Sequence, residues 1–203
     1  MVILDVGSGN TCGNDLEKVK DMIDAIDDIR GDSDVTIKWQ LFLEAPPNVP
    51  LKRDVFRYAY EYAEELGIPT TASVFSLDDL AFLLGFNPPF VKLACRPDVH
   101  DIAKQVKDRP VFVSFSSSRV MAIRKNISPM CCISKYPARL EEYERCFKPV
   151  HLSKGISDHT IGFDLYFKYE PEIYEKHFVL EHDKENPDGG PFAATPKDLE
   201  AIL

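Results

Sequence analysis

Eight short apolar stretches, each followed by a turn-rich or helical interval, constrain this chain more than any other feature. They are VILDVG (2–7), VTIKWQLF (35–42), TTASVF (70–75), FVKLA (90–94), PVFVSF (110–115), MCCIS (130–134), HLSKGIS (151–157) and IYEKHFVL (173–180). Runs of this length bounded by turns read as strands, and strands alternating with helices argue for a parallel sheet. Eight such units suit a closed (β/α)8 TIM barrel, an α/β fold. Its 203 residues lie near the lower end for that architecture and are expected to form one domain over 1–203. The first interval predicts a helix opened by Asn14 with Glu17, striped by Val19, Met22, Ile23, Ile26 and Ile29, and stopped by Gly31. The second places Val55, Tyr58, Tyr62 and Leu66 on one face. Shorter helices are expected over Leu77–Leu84, Val99–Val106, Arg119–Lys125, Pro137–Phe147 and Phe163–Tyr169.

The opening VILDVGSGNTCG also looks like the first motif of S-adenosylmethionine-dependent methyltransferases, an apolar strand running into glycines and a helix. That fold wants an acidic residue closing the second strand to hold ribose hydroxyls. Glu44 lies beyond the strand end, so the glycine turn is better read as the first loop of a barrel. A formal net charge of −9 argues against a general nucleic-acid binder, because the phosphate-neutralising surface is missing. No apolar run is long enough to span a membrane, and no basic leader precedes Val2, so a cytoplasmic protein is expected. Five cysteines, two of them adjacent at Cys131 and Cys132, read as reduced thiols.

Side chains alternate across a strand, so parity separates its two faces. In the second stretch Val35, Ile37, Trp39 and Leu41 share one face, and Thr36, Lys38 and Gln40 the other. Cys132, Ser134 and Tyr136 share parity, as do Ser157 with His159 and Glu175 with His177. Several polar groups converging late in barrel strands suggest a site, because buried polar residues are costly unless paired. His159 and His177 on neighbouring strands, with Asp158 and Glu175 beside them, would suit zinc, manganese or iron. Lys38 and Lys92 stand inside strands, where an ammonium needs a counter-charge. Either they form a pocket for a multiply charged anion, or each pairs with an inward carboxylate such as Asp5 or Glu175.

The segments GISDHTIG (155–162) and YEKHFVL (174–180) resemble the sialic acid synthase family. LDVGSGNTCG, IKWQ, TASVFSLDD, VKLAC, PVFVS, CCISKYPA and NPDGGPF resemble further family segments in order along the chain. The resemblance implies a (β/α)8 barrel that condenses phosphoenolpyruvate with an N-acetylated sugar aldehyde such as N-acetylmannosamine. It implies His159 and His177 as ligands of a divalent ion, typically manganese. Lys38, Lys92, Ser73, Ser114, Ser134, Tyr136 and Ser157 would surround phosphoenolpyruvate. Asp5 and Asn10 would lie by the sugar and metal, with Glu175 and Asp188 nearby, and Asp5, Glu175 and Tyr136 are the candidates for catalysis. A homodimer is implied as well. The sequence departs from the family pattern at Asp5, where a glutamate is usual. It carries an extra residue in the turn from Gly7 to Gly13, Cys95 for a serine, Ser73 for a threonine and Gly189 for a histidine. The 203 residues hold no counterpart of the family's C-terminal antifreeze-like domain, which supplies a sugar-binding arginine to the partner subunit. A catalytically lapsed barrel that binds a sugar or serves a structural role therefore stands as the alternative.

Overall fold

In the computed structural model, which describes residues 1–42, 48–116, 125–147 and 155–203, eight parallel strands close into one barrel in sequence order. They are β1 (Val2–Gly7), β2 (Val35–Leu41), β3 (Thr70–Val74), β4 (Val91–Leu93), β5 (Val111–Phe115), β6 (Ile127–Cys132), β7 (Gly155–Asp158) and β8 (Ile173–His177). Closure comes from β8 lying beside β1, with Ile3 opposite Glu175 and Asp5 opposite His177. A closed ring excludes the open nucleotide-binding sheet of the methyltransferase reading. Helices α1 (Gly9–Cys12), α2 (Leu16–Arg30), α3 (Arg53–Glu65), α4 (Leu77–Leu84), α5 (Leu140–Phe147), α6 (Asp164–Tyr169) and α7 (Pro196–Leu199) accompany the ring.

Strand parity sorts the core into two parts. Outward residues such as Val35, Ile37, Trp39, Leu41, Val91, Leu93, Val111 and Val113 join the buried faces of α2, α3 and α4 in one large apolar cluster. Inside the ring a separate, smaller cluster of Ile3, Phe90, Phe112, Met130 and Ile173 forms a floor. Phe90 and Phe112 lie there with ring centroids 4.3 Å apart. Above this floor the inward positions turn polar.

Several local expectations need correction. Asn14 does not cap α2; it takes a left-handed φ of 58° and its amide bonds Pro50 O and Lys52 N. Asp15 caps instead, accepting from Glu17 N at 3.0 Å. The buried face of α3 is Val55, Phe56, Ala59 and Ala63. Tyr58 and Tyr62 are only partly buried, and Tyr62 Oη donates to Asp24 on α2 at 2.6 Å. Small alanines let the helix approach the sheet while the tyrosines reach sideways. Strand β6 begins at Ile127 and ends at Cys132, earlier than the stretch 130–134, because Ile127–Pro129 already pair with Val111–Val113. The expected helix at Val99–Val106 is a 3-10 helix over Pro97–Gln105, and α5 begins at Leu140. The segment 151–154 of the seventh stretch, nearly all of the helix expected over Arg119–Lys125, and Glu44 lie outside the described residues. Cys131 is disulfide-bonded, against the all-reduced expectation, whereas Cys12, Cys95 and Cys132 are free. Among the described residues no helix is long and apolar enough to cross a membrane.

The floor predicts its own test. Phe112→Ala removes half of an aromatic pair from a site with no solvent to refill it, and should cost about 3–5 kcal/mol of unfolding free energy in urea titration.

Candidate active site

A cavity of about 320 Å³ opens above the floor, at the C-terminal ends of the strands. Its deepest polar layer is an ion network. Lys38 Nζ lies 2.6 Å from Asp5 Oδ2 and 2.7 Å from Glu175 Oε1. Lys92 Nζ stands 3.1 Å from the other oxygen of the same carboxylate, Glu175 Oε2, without good hydrogen-bond alignment. Serines complete the layer: Lys38 donates to Ser73 Oγ at 3.1 Å and Lys92 to Ser114 Oγ at 2.8 Å. All four charged side chains are almost wholly buried. The strand lysines thus take the second of the two readings: both point into one cavity, and there they pair with the inward carboxylates Asp5 and Glu175.

Burial acts to raise the Glu175 carboxyl, yet Lys38 and Lys92 more than offset it and hold the group well below the ordinary carboxylate range. Asp5 is likewise lowered despite burial, by Lys38 and then His177. Lys38 is raised, because Asp5 and Glu175 outweigh its desolvation. Asp5 also accepts from Gln40 Nε2 at 3.0 Å and from Gly7 N at 3.1 Å. Gly7 marks an irregularity in the β1–β2 register and has φ +75°; a Cβ there would come 2.4 Å from Thr11 Oγ1. The glycine turn thus fits the loop against Asp5 and the wall formed by Asp188.

Two imidazoles sit higher, His159 and His177, with ring centroids 5.3 Å apart. His159 Nδ1 donates to Ile133 O at 2.7 Å, which leaves Nε2 as the ring atom with a free lone pair. Burial, then the neighbouring His177, pushes its pKa down to about 3, so the ring is neutral. His177 Nδ1 is buried without a hydrogen-bond partner, 3.5 Å from Asp188 Oδ1, and its Nε2 is 3.7 Å from Asp5 Oδ2. Among the described residues no three His, Cys, Asp or Glu side chains converge into a complete metal cage. Tyr136 lies across the mouth, its ring 4.3 Å from that of His159. It is half-exposed, yet desolvation at the cavity mouth and the surrounding negative groups raise its phenol, so it is a hydrogen-bond donor and not a base at neutral pH.

Ser134 and Ser157 line the same cavity, as do Asp5, Lys38, Ser73, Lys92, Ser114, Tyr136, His159, Glu175, His177 and Asp188. Asn10 is the exception. It lines an adjoining pocket of about 180 Å³ with Gln40, Phe75, Arg96 and Asp188, and its Oδ1 accepts from Val49 N at 2.6 Å. Asp158, grouped with the histidines on sequence proximity, lies on the opposite face of β7. There its Oδ2 meets Lys176 Nζ at 3.1 Å and Tyr174 Oη at 2.5 Å. The adjacent-residue rule for strands already contains that outcome.

Sequence reasoning missed the supports. Lys176 Nζ also donates to Thr160 O at 2.6 Å and Gly162 O at 2.8 Å, tying down the loop that starts at His159. Tyr143, on α5, donates to Ser157 O at 2.6 Å and accepts from His159 N at 3.0 Å. The pattern of a charged residue next to each histidine, SDH and EKH, was the available signal.

A family model described as the NeuB family matches residues 28–203. An uncharacterized protein of Methanocaldococcus jannaschii is 26% identical over 194 residues, covering 84% of this chain and 57% of that protein. Among solved structures, the N-acetylneuraminic acid (sialic acid) synthetase of Leptospira borgpetersenii superposes with a TM-score of 0.78 at 21% identity, covering 98% of this chain and 80% of that one. The spore coat polysaccharide biosynthesis protein spsE of Bacillus subtilis gives 0.74 at 18% identity, covering 99% and 65%. The chain therefore spans 57% of the archaeal relative and 65% of the Bacillus protein.

Lys176→Met leaves the Asp158 carboxylate buried and unpaired. It should lower stability by about 3–5 kcal/mol in urea unfolding. Tyr174→Phe, which keeps the cation, should cost only about 1–2 kcal/mol.

Proposed function

The chain belongs to the NeuB family, and on that premise we propose that the cavity joins phosphoenolpyruvate to an N-acetylated sugar aldehyde, releasing phosphate and a nonulosonic acid. The observation that carries this reading is the pair of buried ammonium groups, Lys38 and Lys92, sharing Glu175 at the bottom of the cavity. A substrate with both a phosphate and a carboxylate can compete for those ammonium groups and for the hydroxyls of Ser73, Ser114, Ser134 and Ser157. Charge-assisted hydrogen bonds in a water-poor site then hold the phosphate while negative charge moves onto it.

In the reaction C3 of phosphoenolpyruvate attacks the aldehyde carbon, forming the new C–C bond, and the aldehyde oxygen takes a proton to become a hydroxyl. Water adds at C2 as hydroxide, and the proton it gives up in doing so matches the one taken by the aldehyde oxygen. The C2–O bond to phosphate then breaks as C2 becomes a ketone, and the proton of the water-derived hydroxyl leaves with the phosphate. Asp5 is the carboxylate best placed to orient that water, held by Lys38, Gln40 and the Gly7 amide. Glu175, locked between two lysines, chiefly sets the spacing of the cations. Tyr136 Oη can donate at the mouth, and the acceptor sugar would reach Asp188, Asn10 and Gln40 in the adjoining pocket.

A divalent ion, manganese by family resemblance, fits the residues present. His177 has an orphaned buried nitrogen, His159 is oriented by a carbonyl, and the carboxylates of Asp5 and Asp188 stand beside His177. Two imidazoles with positions left for water or substrate match a catalytic site, and the ion would supply Lewis-acid polarisation of the aldehyde.

Phosphate release from phosphoenolpyruvate with N-acetylmannosamine and manganese tests the reading. Sugar-dependent release is expected; none with any divalent metal and any N-acetylated aldose would leave a barrel that binds without turnover. Lys92→Met should raise the KM for phosphoenolpyruvate about 30- to 100-fold, the equivalent of one charge-assisted contact. Manganese retained after gel filtration should fall in His159→Ala and His177→Ala, as read by elemental mass spectrometry.

A further inference from the structure

The two imidazoles of the cavity are held in different ways. His159 keeps its ring orientation through the 2.7 Å hydrogen bond from Nδ1 to Ile133 O. His177 has no such bond at Nδ1, which is buried without a partner. The carboxylate oxygens facing its two nitrogens stand at 3.5 Å (Asp188) and 3.7 Å (Asp5), longer than a normal N–H···O bond. Packing must therefore fix the plane of this ring, and the packing comes from residues beyond β8. There the chain loops out through Asp188 and returns alongside the strand end. Ala194 N donates to His177 O at 2.7 Å, Val179 N donates to Ala194 O at 3.0 Å, and Phe178 bridges Ala194 in parallel. Thr195 pins the returning segment further on, closing a capping box with Asp198 at the start of α7.

Phe192, two residues before Ala194, is buried, and its ring stands nearly perpendicular to that of His177, at 85° with centroids 5.2 Å apart. It also packs on Tyr136, at 5.1 Å and 62°, and Tyr136 in turn meets both imidazoles. Perpendicular rings at such distances attract edge to face, and in dense packing neither can turn without driving its atoms into the other. Gly190 reserves the space. The three nearest atoms that a Cβ at this position would meet all belong to the Phe192 ring, the first at 2.7 Å. We propose that Phe192 is a positioning residue that holds the His177 ring in the plane presenting its nitrogens to the cavity. The segment carrying it also fixes the His177 carbonyl, and Asp188, earlier on the same loop, faces Nδ1. Phe192 itself is not among the residues lining the cavity, so it acts through His177. The consequence for a divalent ion rests on the metal reading above; the orientation of the ring does not.

Crystal structures of the metal-free protein and of its Phe192→Leu and Gly190→Ala variants test the placement. Leucine keeps apolar bulk without the ring. Alanine at position 190 leaves Phe192 in the chain but displaces its ring, and Gly190 has no left-handed φ that the new side chain would strain. In both variants the His177 ring is expected to rotate or to split between two orientations, while His159, tied to Ile133, stays in place. A His177 ring unmoved in both variants, or both imidazoles displaced together, would overturn the proposal. Cobalt(II) titration followed by visible absorption reads the consequence for an ion. The dissociation constant should rise about 10- to 100-fold in both variants, with an altered ligand-field spectrum, as for loss of a group that orients a metal ligand. Equal affinity with an unchanged spectrum would also sink the proposal. A wild-type protein that takes up no cobalt would instead retire the metal reading, and the crystal structures alone would decide the role of Phe192.

Discussion

One carboxylate, Glu175, sits between two ammonium groups inside the barrel, and the rest of the site is arranged around that arrangement. Removing an ion from water costs several kcal/mol even in a relaxed protein, and four ions are removed here: Lys38, Lys92, Asp5 and Glu175. The cost is bearable only because each charge meets an opposite one within about 3 Å and serines take up remaining donors. The apolar floor of Ile3, Phe90, Phe112, Met130 and Ile173 lies below this layer and excludes water from beneath. Above it the two histidines and Asp188 face the open end. The cavity is consequently graded, from hydrocarbon through fixed charge to exchangeable polar groups.

A second buried ion pair supports the first from outside. On β7 and β8 the residues facing the cavity, Ser157, His159, Glu175 and His177, alternate with Asp158 and Lys176 on the other face. Lys176 meets Asp158 and the carbonyls of Thr160 and Gly162, so the loop leaving β7 cannot swing without stranding a buried cation. Tyr143 holds the same loop from α5. His159 therefore has its backbone, through Tyr143, and its ring, through Ile133, restrained independently. Such double restraint is what keeps a ligand or general polar group in one orientation.

Much of the site was legible before any coordinates. The parity of Lys38 against Ile37 and Trp39, and of Glu175 with His177, follows from a period of two, which no tertiary context alters within a continuous strand. Asp158 shows the same rule applied in reverse: adjacency in sequence to His159 put it on the wrong face for the cavity. Asn10 was harder, because the turn around Gly7 contains a short helix, α1, whose geometry a strand argument does not reach. The cap of α2 moved from Asn14 to Asp15 because Asn14 was recruited by the backbone at Pro50 and Lys52, a contact between segments far apart in the chain.

The sequence by itself determined the number and order of strands, the faces on which their lysines, acids and histidines lie, and the membership in a family that uses such residues. These are local or comparative properties, carried by alternation along a strand and by motifs of a few residues. Tertiary structure alone decided that the two lysines share one carboxylate and that Asp158 and Lys176 brace the loop after β7. Each of those depends on which strands become neighbours or face one another when the ring closes, and on how far each side chain reaches across it. Distances across a closed barrel are set by curvature and stagger, and no run of consecutive residues encodes them.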